Sequence, residues 1–342
     1  MSITTDDIAK IANVNQSTVS RCLNNSPLVS EKTKRRILQI AKENNFQFNS
    51  SARSLITKRT NTIGIIFSKR LVDHGFDVHF RSWQDALIER LGQLGFDAIV
   101  SFSENEFTGQ NNIKQLITAK KIDGLIILHS SLDKGTIDFL EESNIPYIFS
   151  KYLPDNCKTK DVDYVYVDQL KGGYLATEHL IKLGHERILC ISANTDGGEF
   201  VLRTEGYKSA IYNSNLSFSK DLLYFGDSTF KSGYNIIKEN TAVLKNITAI
   251  FAQNDLMALG TMSALNELHI NVPNDIAVVG YDDIELCTYF KPHLTSVHQP
   301  TKEVAILTCK RLVEALNSKG SSVKQKLSIQ PKLIIRQSCG SK

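Results

Sequence analysis

Several signatures of catalytic chemistry are missing from this 342-residue chain. Its six cysteines, at positions 22, 157, 190, 287, 309 and 339, never fall at CxxC spacing. That excludes the usual zinc and dithiol redox motifs, and their apolar surroundings read as those of reduced core residues. There is no P-loop, no GxGxxG opening a helix, no GxSxG and no HExxH. An enzyme is therefore not expected, nor a cofactor or bound metal. Gly172-Gly173 and Gly197-Gly198 stand outside any phosphate-binding motif and read as turn or helix-packing glycines. No apolar run is long enough to span a membrane. The first residues show neither a charged-then-apolar leader nor a lipidation cysteine, so a cytoplasmic protein with no membrane partner is expected. Beyond Arg336 there are no leucine heptads, which argues against a tail-mediated tetramer.

Charge is present but unevenly spread. Residues 1–59 hold ten Lys and Arg against four Asp and Glu, a net +6, within a chain of formal net charge +4. The remainder holds 30 basic against 32 acidic side chains, a net −2. A basic head on a slightly acidic body points to a polyanionic partner for the head alone.

Within that head, Ile8 to Asn24 has the layout of two short helices joined by a tight turn. Thr4 and Asp7 form a capping-box pattern with Asp in place of Glu. Ile8, Ala9, Ile11 and Ala12 give the first helix an apolar face, and Asn13-Val14-Asn15 interrupts it. Asn15 suits an N-cap, after which Val19, Cys22 and Leu23 restore apolar spacing. The second helix turns Gln16, Ser17, Ser20 and Arg21 outward. Short donors and acceptors with one Arg suit the reading of base edges in a major groove. Ser30 caps a third helix from Glu31 to Asn44 that packs through Ile37, Leu38, Ile40 and Ala41. Residues 46–60 then form a linker with a helical turn or two near Ser50–Ile56, too short to be stable alone in water. There Leu55, beside Arg53, Lys58 and Arg59, fits either a minor-groove wedge on a basic arm or a plain tether.

From Thr62 the pattern changes to apolar strands alternating with amphipathic stretches such as Trp83–Leu94, Gly173–Leu183 and Leu256–Leu268. Continuous apolar strands spaced by helices predict parallel sheets covered on both faces. Some nine strands exceed one sheet, so two similar lobes are expected, with a ligand cleft beyond the carboxyl ends of the strands. The expected crossings between lobes lie near Cys157–Asp163, Phe290–Leu294 and Ser321–Lys326.

Many ordered motifs carry a family resemblance. They include Asp7-Ile8-Ala9-Lys10-Ile11-Ala12, Ser17-Thr18-Val19-Ser20-Arg21, Val29-Ser30-Glu31-Lys32-Thr33 and Ala52-Arg53-Ser54-Leu55. Later come Leu183-Gly184-His185, Arg203 with Gly206-Tyr207, Asn254-Asp255, Val278-Val279-Gly280-Tyr281-Asp282-Asp283 and Gln299-Pro300. Over essentially its full length the chain resembles the LacI/GalR family of bacterial transcription regulators. The resemblance implies a small all-α helix-turn-helix headpiece plus an α/β core of two parallel-sheet lobes, like a periplasmic sugar-binding protein. The expected domains are a DNA-binding headpiece at 1–47, a hinge helix and linker at 48–60, and an effector-binding and dimerisation core at 61–342. In that core the N-lobe takes about 61–160 and 293–322, and the C-lobe about 161–292 and 323–342.

The implied function is transcriptional regulation, expected to be repression. A homodimer would bind a near-palindromic double-stranded DNA operator, and a small-molecule effector, a sugar or sugar derivative, would control operator affinity. The alternative, a solute-binding protein for sugar uptake, leaves the basic head unexplained. Carried over, Gln16, Ser17 and Arg21 are base readers, and Leu55 is the wedge. Thr4, Thr18, Asn24, Ala52 and Arg53 fall on positioning contacts. Lys34 and Arg35 are candidate phosphate contacts. In the core, Arg203, Asn254 and Asp282 fall on effector-contacting positions, with His79 and Phe80 from the N-lobe.

Two departures bear on the effector. Lys151 stands where many relatives have Asp, and Ser228 where several carry a stacking aromatic. Two readings stay open for Lys151. It neutralises an anionic effector, such as a sugar phosphate or sugar acid, together with Arg203, or it points to solvent.

Overall fold

The computed structural model describes residues 3–23, 28–44, 46, 59–68, 78–193, 198–318 and 323–340, with the backbone alone at 78–80. The sequence expectations for Asn24, Ala52, Arg53 and Leu55, and for the hinge helix they frame, lie outside the described residues. The chain divides into two compact units, 1–60 and 61–342.

The first unit contains α1 (Thr5–Ala12), α2 (Gln16–Leu23) and α3 (Glu31–Glu43). Thr4 and Asp7 close the capping box: the Asp7 carboxylate accepts from the Thr4 amide at 2.9 Å and from its hydroxyl at 2.7 Å. Asn13, in the left-handed region at φ 49°, ends α1, and the Asn15 carbonyl accepts from the amides of Thr18 and Val19 to start α2. Ile8, Ala9, Ala12, Val19, Cys22, Ile37 and Ala41 form the core between the three helices. Two expected packing residues do not join it: Ile11 is 51% and Leu38 50% exposed. At about 100° of turn per residue, Ile11 sits roughly 105° from the centre of the Ile8–Ala9–Ala12 face, so i+3 spacing from Ile8 alone does not bury it.

The second unit holds two six-stranded sheets. The first sheet takes β1 (Thr62–Phe67), β2 (Asp97–Phe102), β3 (Gly124–Leu128), β4 (Tyr147–Ser150) and β5 (Tyr164–Val167), with β11 (Lys326–Ile329) at its edge. Its order is β11-β5-β4-β3-β1-β2, parallel throughout. The second takes β6 (Ile188–Ala193), β7 (Leu223–Gly226), β8 (Ala249–Ala252), β9 (Ala277–Asp282), β10 (Thr295–His298) and β12 (Lys332–Ile334), in the order β12-β10-β9-β8-β6-β7. Only the short β12 runs antiparallel to its neighbour. Helices α4 (Val78–Gln93), α5 (Asn112–Thr118), α6 (Lys134–Glu142), α7 (Gln169–Lys182), α8 (Glu199–Asn213), α9 (Phe230–Glu239), α10 (Asp255–Glu267) and α11 (Thr301–Asn317) complete the unit. Each sheet is buried on both faces. Ile63, Ile65 and Val165 pack with Trp83 and Val304 on one side of the first sheet, and Ile66, Leu125 and Phe149 with Leu140 on the other. Each such side chain contributes about 1.5–3 kcal/mol, and alternation within β1 alone commits it to covering both ways.

Sheet membership corrects the expected lobe boundaries. β5 and β11 lie in the first sheet, and β10 lies in the second. The chain therefore crosses at Asp168, at Gln299 and at Gln330, later than expected in each case. The expected break at Cys157–Asp163 is a connection within the first sheet that follows the 3-10 segment Asp155–Cys157, with Cys157, Val162 and Asp163 buried. Asp163 there is an anchor: its buried carboxylate accepts from Arg311 at 2.8 Å and Lys324 at 3.3 Å, tying α11 and the β11 segment to β5. Lys291-Pro292-His293 likewise only precedes β10. That strand escapes an apolar pattern because its buried hydroxyls are satisfied: Thr295 Oγ1 donates to Cys339 Sγ at 3.2 Å and accepts from the Arg336 amide at 2.8 Å, and Ser296 Oγ donates to Asp255 Oδ1 at 2.6 Å.

Candidate nucleic-acid interface and ligand cleft

On α2, Gln16, Ser17 and Arg21 are exposed and Thr18 is half-buried. Gln16 is steadied by donating from Nε2 to the Thr5 hydroxyl at 3.1 Å, across the turn to α1. Val19 and Cys22, on the opposite side of α2, are buried in the three-helix core, so packing fixes which face carries Gln16, Ser17 and Arg21. The Thr4 hydroxyl is engaged with Asp7, and this bond holds the Asp7 carboxyl below its ordinary 3.8. Arg35 and Arg36 are exposed on α3. Lys34 is not: it is 7% exposed and bonds Glu31 at 2.9 Å, a structural role in place of the expected phosphate contact. The six cysteines are buried free thiols. Burial pushes Cys190 and Cys309 up to about 12, which keeps them protonated and unreactive.

In the second unit the candidate cleft residues gather at the carboxyl ends of strands. Lys151 follows β4, Asn254 follows β8, and Asp282 ends β9. Lys151 (φ 68°), Ser228 (φ 72°) and Asp282 (φ 113°) all adopt positive φ without being glycine. Such strained backbone tends to collect at functional sites.

Arg203, on α8, is 2% exposed. Its Nε donates to Gln169 Oε1 at 2.9 Å, and its Nη1 donates to the Gln253 carbonyl. Its Nη2 lies 3.7 Å from Asp282 Oδ1. The guanidinium stacks 3.7 Å from the centre of the Tyr281 ring and 4.9 Å from that of Phe200. Burial works against its charge, but Tyr281, Asp282 and Glu199 outweigh it and raise its pKa. The network closes on itself. Gln169 Nε2 donates to Gln299 Oε1 at 3.0 Å, and Gln299 Nε2 donates to Asp282 Oδ1 at 2.7 Å. Gln169 and Gln299 sit on two of the crossings between lobes. At the third, Gln330 donates to Asp168 at 3.4 Å.

Of the two readings of Lys151, the structure overturns the one that points it to solvent. It is 5% exposed, so it does not point to solvent. Its Nζ stands 3.9 Å from Glu199 Oε1 on the opposite lobe. It also lies 5.5 Å from the Trp83 ring centre and 5.2 Å from that of Tyr152. Asn254 caps α10: its Oδ1 accepts from the Met257 amide at 2.8 Å, and its Nδ2 donates to the Ser228 carbonyl at 2.8 Å. His79 and Phe80 lie in the first turn of α4. Sequence reasoning missed Glu199, Gln169 and the cage aromatics Trp83 and Tyr152. None has a spaced partner in the chain, and only the fold brings them to Lys151 and Arg203. Gln299 stood in a quoted motif without a role.

Residues 4–49 match the lacI family of bacterial regulatory proteins, and residues 177–339 match the periplasmic binding protein-like domain. The chain is 31% identical over 342 residues to the HTH-type transcriptional repressor PurR of Aliivibrio fischeri strain ES114, covering 99% of each. It belongs to the LacI/GalR family of bacterial transcription regulators. Among solved structures of this family, the lac repressor dimer bound to operator and the anti-inducer ONPF superposes with a TM-score of 0.76 at 26% identity, covering 99% of each chain. The complex of the regulator CelR with cellobiose gives 0.72 at 27% identity, covering 98% of this chain and 99% of that one. The chain is thus a DNA-binding transcriptional repressor of this family with a ligand-binding core. No helix among the described residues is long and apolar enough to cross a membrane.

Proposed function

We propose that the chain is a cytoplasmic, homodimeric repressor whose affinity for a near-palindromic operator is set by a sugar or sugar derivative bound between the lobes. Headpiece 1–47 reads DNA, 48–60 is the hinge, and 61–342 binds effector and partner. Gln16, Ser17 and Arg21 contact bases, Thr4, Thr18, Asn24, Ala52 and Arg53 position the backbone, and Leu55 is the minor-groove wedge. Arg203, Asp282 and Lys151 face the effector, with His79, Phe80 and Asn254 beside them.

One observation carries the reading. The Arg203–Asp282 pair is hydrogen-bonded to Gln169 and Gln299, which lie on the lobe crossings. A hydroxylated ligand that draws on the Arg203 fork and the Asp282 carboxylate rearranges bonds at the pivots themselves, which is the differential contact that a population shift requires. The cellobiose bound by CelR supports a sugar-like ligand. The dimeric lac repressor supports the partner. A surface groove along α10, which mixes apolar Phe230, Met262 and Phe290 with polar Ser263, Asn266 and Lys291, is the face we assign to it.

Thermal unfolding of the full chain against sugars, sugar phosphates, sugar acids and nucleobases tests the effector. A ligand at a hundred times its dissociation constant adds about 2.7 kcal/mol. A sugar that raises the melting temperature of the wild type but not of Arg203→Ala supports the reading. A ligand outside the sugars overturns the sugar assignment.

A further inference from the structure

Glu199 is a buried carboxylate with work left over. It opens α8 behind Gly198, is 7% exposed, and its Oε1 accepts no hydrogen bond among the described residues. It faces Lys151 Nζ at 3.9 Å, with side-chain exposures of 3% for Lys151 and 9% for Glu199. The distance exceeds a hydrogen bond, so the two charges compensate across the cleft while an acceptor lone pair stays unmet. A hydroxyl beside the pair reaches both ends at about 2.8 Å, accepting from the ammonium and donating to the carboxylate. A carboxylate or a fully ionised phosphate has only acceptors. Placed there, it offers Oε1 no proton and sets like charges together. Among the described residues a second buried cation, Arg203, is likewise answered by Asp282, so these four groups sum to zero.

We propose that Glu199 is the charge-selecting residue of the cleft: it neutralises Lys151 and presents an unpartnered oxygen, admitting an effector with a free hydroxyl at that point and rejecting one with a carboxylate or phosphate there. The proposal rests on the reading of this cleft as the effector site. It reverses what Lys151 and Arg203 alone would select.

Calorimetric titration of the full-length chain tests it, with glucose and ribose as neutral probes, glucose 6-phosphate and glucuronate as anions, and glucosamine as a cation. Glu199→Gln is expected to bind at least one anion tenfold or more tighter than wild type. Lys151→Gln, which leaves Glu199 unanswered, is expected to gain glucosamine by a similar factor. Should Glu199→Gln fail to fold with Lys151 buried and unpaired, Lys151→Gln alone decides. Variants that keep the wild-type charge preference, or gain no charged probe, overturn the proposal. If Arg203→Ala abolishes binding of the probes while that preference persists, only the role of Glu199 falls. If Arg203→Ala binds every probe as the wild type does, the cleft reading falls with it.

Discussion

Gln169 donates to Gln299 at 3.0 Å, one side chain on the first crossing between the lobes and the other on the second. Both are buried, and each also serves the Arg203–Asp282 pair, Gln169 through Arg203 and Gln299 through Asp282. Pivot and site therefore share one hydrogen-bond network.

Gln299→Ala should act on both. It leaves the Gln169 amide without its acceptor and takes one hydrogen bond from Asp282, and a buried polar group left without its partner costs about 1–3 kcal/mol. Urea unfolding checks the stability loss. The same variant should narrow the effector-dependent change in operator affinity, because the network no longer reaches the second crossing.

Gly173→Ala should disturb the cleft without touching it. A Cβ at Gly173 would lie 2.1 Å from the Arg203 carbonyl oxygen, and one at Gly206 lies 2.1 Å from that of Leu170, so α7 and α8 pack backbone to backbone. Overpacking of this kind costs about 1–3 kcal/mol. It pushes α8, which carries both Glu199 and Arg203. A lower melting temperature together with weaker ligand binding is expected.

Asp255 predicts a pH dependence. Its buried carboxylate accepts from Ser296 at 2.6 Å, from the Ile284 amide at 2.9 Å and from Cys287 at 3.1 Å. Burial nonetheless lifts it from 3.8 to about 6. Between those values the folded chain keeps a proton that the unfolded chain has released, so stability falls as pH rises from about 4 to about 6 and is level above. Over that rise the contribution is about 3 kcal/mol, at about 1.4 kcal/mol per unit. Asp255→Asn should remove this slope, read as the difference between wild-type and variant urea midpoints across that range.

Arg21 and Arg35 should separate specificity from affinity. Arg21→Ala is expected to relax sequence preference by about 1–3 kcal/mol at the base pair it reads. Arg35→Ala should weaken all sequences alike and reduce the salt slope by about one. Operator selection followed by titration at several salt concentrations distinguishes them.

How far the fold was legible follows from which signals are local. Thr4, Asp7 and Ser30 announce helix starts because caps act over three residues, and the capping bonds are present. The apolar β3 and β6 announce a doubly covered sheet because both of their faces are buried. β11 and β12 are short and partly exposed and carry no such run. The lobe crossings were misplaced because Pro292 and the turn before Asp163 interrupt the pattern without ending a lobe. Of the cleft, Arg203 and Asp282 were legible through motif. Glu199 was not, since its meaning lies in a residue 48 positions away on the other lobe, and the buried pairing of Lys151 was hidden for the same reason.

A ligand in the cleft is expected to control DNA binding. The measurement that tests it most directly is the operator affinity of the full-length chain, at fixed salt, with and without the ligand that raises its melting temperature. The expected change is roughly 5- to 150-fold in the wild type and absent in Arg203→Ala. A ligand that binds the core and leaves operator affinity unchanged would contradict it.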